Sequence, residues 1–102
     1  MKYRIKIAPG VDKRISAHIE FLARVSKVAA QKLAGTLIQD IYSLEELPLR
    51  NPAYNNSADP PEKYRYLVSN NKYRIVYQVA EHTVYIYDIQ DCRQSGENNL
   101  VD

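Results

Sequence analysis

The chain begins with a strict alternation of charged and apolar side chains over residues 2–7. In an extended strand, a period of two places the charged residues on one face and the apolar residues on the other. The apolar face comprises Tyr3, Ile5 and Ile7, and the charged face comprises Lys2, Arg4 and Lys6. The alternation therefore predicts a half-buried β-strand.

Apolar residues then recur at helical spacing in two consecutive segments. Pro9 suits the start of a helix over residues 10–25, because the first helical turn does not need its missing N–H donor. Ser26 suits the N-cap of a second helix over residues 27–47, which Pro48 ends. The stripes consist of Ile15, Ile19, Leu22 and Val25 in the first helix, and of Ala30, Leu33, Leu37, Ile41 and Leu44 in the second. Two amphipathic helices with so short a link predict an antiparallel hairpin.

The second half of the chain changes from helical periodicity to turn residues and β-formers. Residues 48–61 hold four of the five prolines, which predicts a long loop. Strands are predicted over residues 63–69, 72–80 and 83–90, with two-residue turns at Asn70-Asn71 and Glu81-His82. These elements predict an α+β fold with an N-terminal strand, an antiparallel helical hairpin and then a three-stranded antiparallel sheet.

The predicted two-residue turns fix which side chains share a face of this sheet. Arg65 and Arg74 then share one face, and Arg93 joins them if the last strand stays regular, whereas one bulge would move it. The expected pairs are Ser69 with Lys72, Leu67 with Arg74, Arg65 with Val76, Gln78 with Tyr85, Val76 with Tyr87 and Arg74 with Ile89. The opposite face is more apolar, and we expect it to meet the helices. It carries Tyr64, Tyr66, Val68, Tyr73, Ile75, Tyr77, Val79, Val84 and Ile86.

Three guanidinium groups on an open face suit a polyanion, because arginine stays charged and can bind phosphate oxygens in pairs. Exposed strand residues are also often charged for solubility and for protection of sheet edges. Most of the nine tyrosines lie in the same sheet, where they suit either half-buried packing or base stacking. The pattern alone leaves these interpretations open.

The net charge of +2 is unevenly distributed. Residues 1–50 hold nine Lys/Arg and five Asp/Glu, a balance of +4, and residues 51–102 hold five and seven, a balance of −2. The overall charge therefore does not indicate a generally basic surface that binds nucleic acid, and any phosphate site must be local.

The remaining composition predicts one domain over residues 1–102, with a flexible tail over residues 95–102. No apolar run is long enough for a membrane span, and the N-terminal alternation is not that of a secretory signal peptide. Cys92 is the only cysteine, which excludes an internal disulfide and fits the cytoplasm. His18 and His82 have no cysteine or acidic residue at metal-ligand spacing, so we expect neither a metal nor a cofactor.

The order of elements resembles the RelE/ParE superfamily of toxins from bacterial type II toxin–antitoxin pairs, over nearly the whole chain. The most specific part is the strand KYRIVYQV, residues 72–79, followed by the last strand and DCRQ, residues 91–94. The end of the hairpin, LEELP at residues 44–48, and the RNP at residues 50–52 are similar to the ParE-like branch. The resemblance implies a microbial-ribonuclease-like fold and a cognate antitoxin that folds across the hairpin and sheet.

The resemblance implies two mechanisms. RelE-type members cut messenger RNA on the ribosome with basic residues on the open sheet face, whereas ParE-type members poison DNA gyrase. Arg74 matches the RelE arginine of the middle strand, Arg65 occupies the position of a RelE lysine, and Arg93 lies at or beside the late RelE arginine. These three are the predicted catalytic residues, and the predicted substrate-binding residues are Lys72, Tyr85 and Tyr87.

The sequence also departs from the RelE pattern. Leu67 stands at the second RelE lysine position. RelE-type members often have a C-terminal tyrosine as well, whereas no tyrosine follows Tyr87 here. A guanidinium is a poor general base because it stays protonated, which leaves Tyr85, Tyr87 and Asp91 as candidate proton acceptors. The prediction is ribosome-dependent cleavage of messenger RNA. The alternatives are a gyrase inhibitor without nuclease activity and a non-toxic member that only binds its antitoxin.

Overall fold

A computed structural model gives the fold and describes residues 2–54 and 63–92. In chain order the elements are β1 (Arg4–Ile7), α1 (Val11–Ala23), α2 (Lys27–Ser43), a 3-10 helix (Pro48–Arg50), β2 (Arg65–Ser69), β3 (Tyr73–Ala80) and β4 (Thr83–Asp91). The predicted α+β order of strand, helical hairpin and antiparallel strands is confirmed.

The strands form one four-stranded sheet in the order β1-β4-β3-β2. The N-terminal strand pairs in parallel with β4, with Ile5 beside Val84, and so extends the predicted three-stranded sheet. The other two pairings are antiparallel, as predicted. Within the described ranges, no helix is long and apolar enough to cross a membrane.

Local sequence signals explain where the helices begin and end. Gly10 caps α1 with a φ of 89°, a conformation that suits glycine. The Ser26 Oγ accepts a hydrogen bond from the backbone N–H of Ala29 at 3.1 Å, which confirms the predicted N-cap of α2. Helix α2 ends at Ser43, earlier than predicted. The backbone N–H groups of residues 44–46 donate to the carbonyls three residues before them, and the backbone of Leu47 is left-handed at φ 47° before Pro48.

Both helices pack on one face of the sheet, which we call the core face; the other is the open face. The buried core comprises Val11, Leu33, Leu37, Ile41 and Leu44 from the helical part, and Tyr73, Ile75, Tyr77, Val84, Ile86 and Ile89 from the sheet. Ile15, Ile19 and Leu22 of α1 pack against it while partly buried. The predicted apolar stripe of the second helix and the apolar side of β3 and β4 thus meet as expected. In the first stripe Val25 is wrong, because α1 ends at Ala23 and Val25 is 81% exposed after it.

The turn between β2 and β3 forms as predicted but shifts the strand pairing by one residue. Asn70 and Asn71 both have positive φ, and the backbone N–H of Lys72 donates to the carbonyl of Ser69 at 3.2 Å. The observed pairs are Arg65 with Tyr77, Tyr66 with Val76, Leu67 with Ile75, Val68 with Arg74 and Ser69 with Tyr73. The predicted pairs of β2 are wrong because Lys72 is an extra residue between the turn and the ladder.

This shift exchanges the two faces of β2, since side chains alternate along a strand. Arg65 and Leu67 lie on the core face, whereas Arg74 lies on the open face opposite Val68. The prediction that Arg65 and Arg74 share a face is therefore wrong. Contrary to the prediction, the open face also holds Tyr64, Tyr66 and Val68.

A β-bulge changes the pairing of β3 with β4. The predicted turn at Glu81-His82 is confirmed, but the register shifts further along, between Val76 and Tyr77, and Tyr87 is the extra residue. The observed pairs beyond the bulge are Val76 with Asp88, Ile75 with Ile89, Arg74 with Gln90 and Tyr73 with Asp91. The predicted pairs of Val76 with Tyr87 and of Arg74 with Ile89 are therefore wrong.

Candidate functional site

The open face holds one arginine within an aromatic cluster. The central carbon of the Arg74 guanidinium lies 5.5 Å from the ring centroid of Tyr54 and 5.2 Å from that of Tyr66. Its Nη1 also donates to the Oε1 of Gln90 at 3.3 Å. We call Tyr54, Tyr66, Arg74 and Gln90 the Arg74 cluster. Cation–π contacts to two rings hold this half-buried guanidinium in one position.

Gln90 connects the Arg74 cluster to helix α1. Its Nε2 donates to the Tyr54 hydroxyl and to the Oδ2 of Asp88, each at 3.2 Å. Asp88 forms an ion pair with Arg14 of α1. The Arg74 Nε is buried and has no hydrogen-bond partner within the described residues. A phosphate that bound Arg74 through paired oxygens would therefore have to displace Gln90 or a tyrosine ring.

Arg65 lies on the core face and binds the loop that follows the 3-10 helix. Its Nη1 donates to the carbonyl of Asn51 at 2.8 Å. The Asn51 Nδ2 donates to the Tyr77 hydroxyl at 3.0 Å, and this hydroxyl donates to the carbonyl of Pro48. Burial raises the pKa of Tyr77 above 10.0, although the Asn51 hydrogen bond and the charges of Arg50 and Arg65 oppose the shift.

The segment after Asn51 pairs with the outer edge of β2. The backbone N–H of Tyr54 donates to the carbonyl of Tyr64 at 2.7 Å, and that of Tyr66 donates to the carbonyl of Pro52 at 3.2 Å. We call residues 51–54 the edge segment. Arg65 binds the start of the edge segment on the core face, and Arg74 contacts its end on the open face. Both guanidinium groups therefore hold the edge segment against the sheet.

The structure brings only part of the predicted site together. Arg65 and Arg74 lie on opposite faces, and Arg93 lies outside the described residues. Their catalytic role, which no comparison tests, stays a prediction. Asp91, a candidate proton acceptor, is buried on the core face opposite Tyr73.

The predicted substrate-binding residues are spread over the sheet rather than gathered around one arginine. Lys72 is exposed beside the β2–β3 turn, where its carbonyl accepts from the Cys92 N–H at 2.7 Å. Tyr85 is half-buried on the open face beside Lys6 of β1. Tyr87 is exposed at the bulge, and its ring meets that of Tyr64 edge-on at 5.2 Å. Their substrate-binding role also stays a prediction.

Sequence reasoning missed the partners of the two arginines. Asn51 and Tyr54 lie in the proline-rich loop, where no periodicity assigns a residue to a face. Gln90 faces Arg74 only because of the bulge at Tyr87.

The position of His18 was also not predicted. Its Nε2 lies 3.2 Å from the carbonyl of Ile89, a contact that ties α1 to β4. Within residues 2–54 and 63–92, no group of three or more His, Cys, Asp or Glu side chains could hold a metal ion.

Comparison with known proteins identifies the family. The family model described as the ParE toxin of the type II toxin–antitoxin system parDE matches residues 5–96. Among solved structures, a chain of the chromosomal ParDE toxin–antitoxin system from P. aeruginosa has the same fold, with a TM-score of 0.71 at 12% sequence identity. The alignment covers 88% of this chain and 96% of that chain. No curated protein matches the sequence. Because the family model covers most of its length, the chain belongs to the ParE family of type II toxins.

Proposed function

We propose that this chain is a ParE toxin that inhibits DNA gyrase and does not cleave messenger RNA. The observation that supports this choice is the separation of Arg65 and Arg74 onto opposite faces of the sheet. Stabilising a scissile phosphate requires preorganised charges that converge on the same atoms. Two arginines on opposite faces of one sheet do not converge in this way.

The bonds of the two arginines support the same proposal. Arg65 donates to a backbone carbonyl in the edge segment, and Arg74 is held between two tyrosine rings and Gln90. Each guanidinium therefore has a packing role that explains its presence. Asp91 is buried on the core face, away from Arg74, which leaves it poorly placed as a proton acceptor for a substrate on the open face.

Family membership implies a cognate antitoxin as the first partner. We infer that gyrase is the second, because a toxin without a nuclease site acts by binding. Both partners would be met in the cytoplasm.

Induced expression in a bacterium that lacks the antitoxin tests the proposed function. We expect growth arrest with an SOS response and gyrase-linked DNA breaks, while messenger RNA on ribosomes stays intact. Transcripts with new ends mapped inside ribosome-bound codons, without DNA breaks, would instead favour the cleavage mechanism. Normal growth would favour a member that only binds its antitoxin.

A purified system gives the matching direct measurement. We expect the toxin to inhibit supercoiling of relaxed plasmid by purified gyrase, and addition of the antitoxin to reverse the inhibition. Relaxation of the supercoiled form of this plasmid by topoisomerase I is the control, because a toxin that merely binds DNA would inhibit both enzymes. Undisturbed supercoiling at a large molar excess of toxin would contradict gyrase as the target.

A further inference from the structure

Leu47 combines two unfavourable features just after helix α2. Its backbone is left-handed, with φ 47° and ψ 52°, and its side chain is 76% exposed. Left-handed backbone is strained for a leucine, because its Cβ crowds the neighbouring carbonyl. A leucine that is mostly exposed also lacks most of the stabilising free energy that burial of its side chain would contribute. Strain that the surrounding structure maintains occurs mainly at functional surfaces.

Hydrogen bonds from Tyr77 and Arg50 hold the segment around Leu47. The Tyr77 hydroxyl, which lies in the core, donates to the carbonyl of Pro48. The Arg50 guanidinium donates to the carbonyls of Glu46 and Leu47, the latter at 3.0 Å. The exposed leucine is therefore presented in a fixed position, which reduces the ordering cost of binding a partner.

Leu47 borders a mostly apolar groove of about 480 Å³, which we call the Leu47 groove. The groove is lined by Tyr3, Leu47, Pro48, Leu49, Arg50 and His82. Leu49 is 56% exposed, and the rings of Tyr3 and His82 lie 6.0 Å apart. The backbone N–H of Tyr3 donates to the carbonyl of Glu45 at 2.8 Å, which fixes β1 against the end of α2. The groove is large enough for an apolar side chain with its flanking backbone.

The charge of the groove restricts its occupant. Arg50 donates to two carbonyls and to the hydroxyl of Ser43, and none of these partners carries a charge. Between residues that the structure describes, the ion pair found joins Arg14 to Asp88, and no such pair involves Arg50. A carboxylate of the occupant would supply that charge.

We propose that the Leu47 groove docks the protein that this toxin inhibits, through a target segment with an apolar side chain next to a carboxylate. The inference rests on the proposed function, since inhibition by binding needs a docking surface. Within the described residues, Arg65 and Arg74 lie on opposite faces of the sheet and do not converge. The apolar side chain packs against Leu47, Leu49 and Tyr3, and the carboxylate pairs with Arg50.

Helix α2 separates this groove from a second apolar surface, which suits the antitoxin. Phe21, Val25 and Val28 are 61%, 81% and 69% exposed around the link between α1 and α2. Helix α2 has 17 residues and is therefore about 25 Å long, with this link at its start and the Leu47 groove after its end. An antitoxin helix bound at this link would therefore leave the Leu47 groove open for the target.

Leu47→Asn in the full-length toxin tests the proposal, because asparagine accepts left-handed backbone but removes the apolar contact. We expect a melting temperature that is unchanged or raised and weaker growth arrest, with at least ten times as many colonies surviving induction. Co-purification with the antitoxin of the neighbouring gene should be unchanged. Leu49→Ser should act in the same direction. Val68→Thr is the control, since it makes an exposed apolar side chain polar on the open face, outside both the groove and the Phe21–Val25–Val28 surface, and should leave the arrest unchanged.

The outcomes separate the occupants of the groove. Folded Leu47→Asn and Leu49→Ser variants that still arrest growth fully would overturn the proposal. Variants that lose the antitoxin, with or without loss of toxicity, would also overturn it, because the groove would then belong to the antitoxin. With purified gyrase, the concentration of Leu47→Asn that halves supercoiling should be at least tenfold that of the wild type.

The design also separates the proposal from the identity of the target. If the wild type arrests growth but leaves purified gyrase active, the proposed function fails, and the growth data still decide on the groove. Arrest that is lost in both groove variants would then support docking of a different target protein. A wild type that does not arrest growth would overturn both.

Discussion

The two faces of the sheet hold their arginines against the same edge segment by different chemistry. On the core face, Arg65 donates to the carbonyl of Asn51, within a set of hydrogen bonds that continues through the buried Tyr77 hydroxyl to the carbonyl of Pro48. On the open face, Arg74 is held between Tyr54 and Tyr66. One face thus uses directional bonds to backbone, and the other uses broad aromatic contact.

This difference shows that the open face is not uniformly open. Val76 lies on it, yet is only 4% exposed, beside Tyr66 of the Arg74 cluster. At the β1 side of the same face, Arg4 and Lys6 are exposed. The half near β2 is therefore a second, small packing layer, and a charged residue there stabilises the fold rather than presenting charge to solvent.

The largest expected effect contrasts a buried and an exposed strand residue. Ile75 is fully buried on the core face, and Ile75→Ala should lower the free energy of unfolding by about 2–5 kcal/mol, because it leaves a cavity among the helices. Val68 is 45% exposed on the open face, and Val68→Ala should change the free energy of unfolding by less than about 0.5 kcal/mol. Urea unfolding measures both. Equal losses would contradict the assignment of faces.

The next effect concerns the hydroxyl of Tyr77. Tyr77→Phe leaves the Pro48 carbonyl and the Asn51 amide without a buried partner, so we expect a loss of about 1–3 kcal/mol in the free energy of unfolding. Tyr87→Phe is the matched control, because Tyr87 is exposed and should change it by less than about 0.5 kcal/mol. A harmless Tyr77→Phe would mean that this hydroxyl does not hold the loop.

Tyr77 also predicts a dependence on alkaline pH. Burial raises its pKa in the folded protein above 10.0, so the unfolded chain loses this proton first as the pH rises. The stability that Tyr77 contributes is therefore fully present below about pH 10 and falls as the pH rises toward the folded-state pKa. Urea unfolding between about pH 9 and about pH 11 should show a steeper decline for the wild type than for Tyr77→Phe. Parallel declines would contradict the raised pKa.

A smaller effect is expected from the arginine of the open face. Arg74→Met should lower the free energy of unfolding by about 1–2 kcal/mol, since two cation–π contacts contribute about 0.5–1 kcal/mol each. Growth arrest should persist, because Arg74 is a packing residue under the proposed function. Lys6→Met on the exposed half is the control and should be neutral in both measurements. If a folded Arg74→Met variant lost toxicity, Arg74 would act directly on the target, as the catalytic prediction from the sequence requires.

The sequence predicts the elements of this fold better than their register. Apolar periodicity locates both helices and the buried side of β3, and Ser26 marks the start of α2. The Asn70-Asn71 turn also forms as predicted. These features depend on local physics, such as capping, positive φ and amphipathic periods, which a short stretch of sequence contains.

The candidate site depends on two single-residue offsets that local sequence does not reveal. Lys72 adds one residue after the first turn, and Tyr87 adds one at the bulge. In β2 the local pattern favours burying Tyr66 and Val68, but Arg65 reaches Asn51 only if its own side of the strand faces the core. The extra residue Lys72 decides which face Arg65 joins, and the pattern within β2 alone does not reveal it, so the pairing of arginines into one site could not be predicted correctly.

The smallest expected effect lies where helix α1 meets the edge of β4. Arg14 is 59% exposed and its partner Asp88 is 25% exposed, so screening by water limits the pair to at most about 1 kcal/mol. Arg14→Gln should therefore lower the free energy of unfolding by less than about 1 kcal/mol, and the difference should vanish in about 1 M salt. Lys13→Gln, next along the same exposed turn, is the control. A larger loss that persists in salt would show that the Gln90–Asp88 bonds depend on Arg14, and that the packing layer of the open face extends into α1.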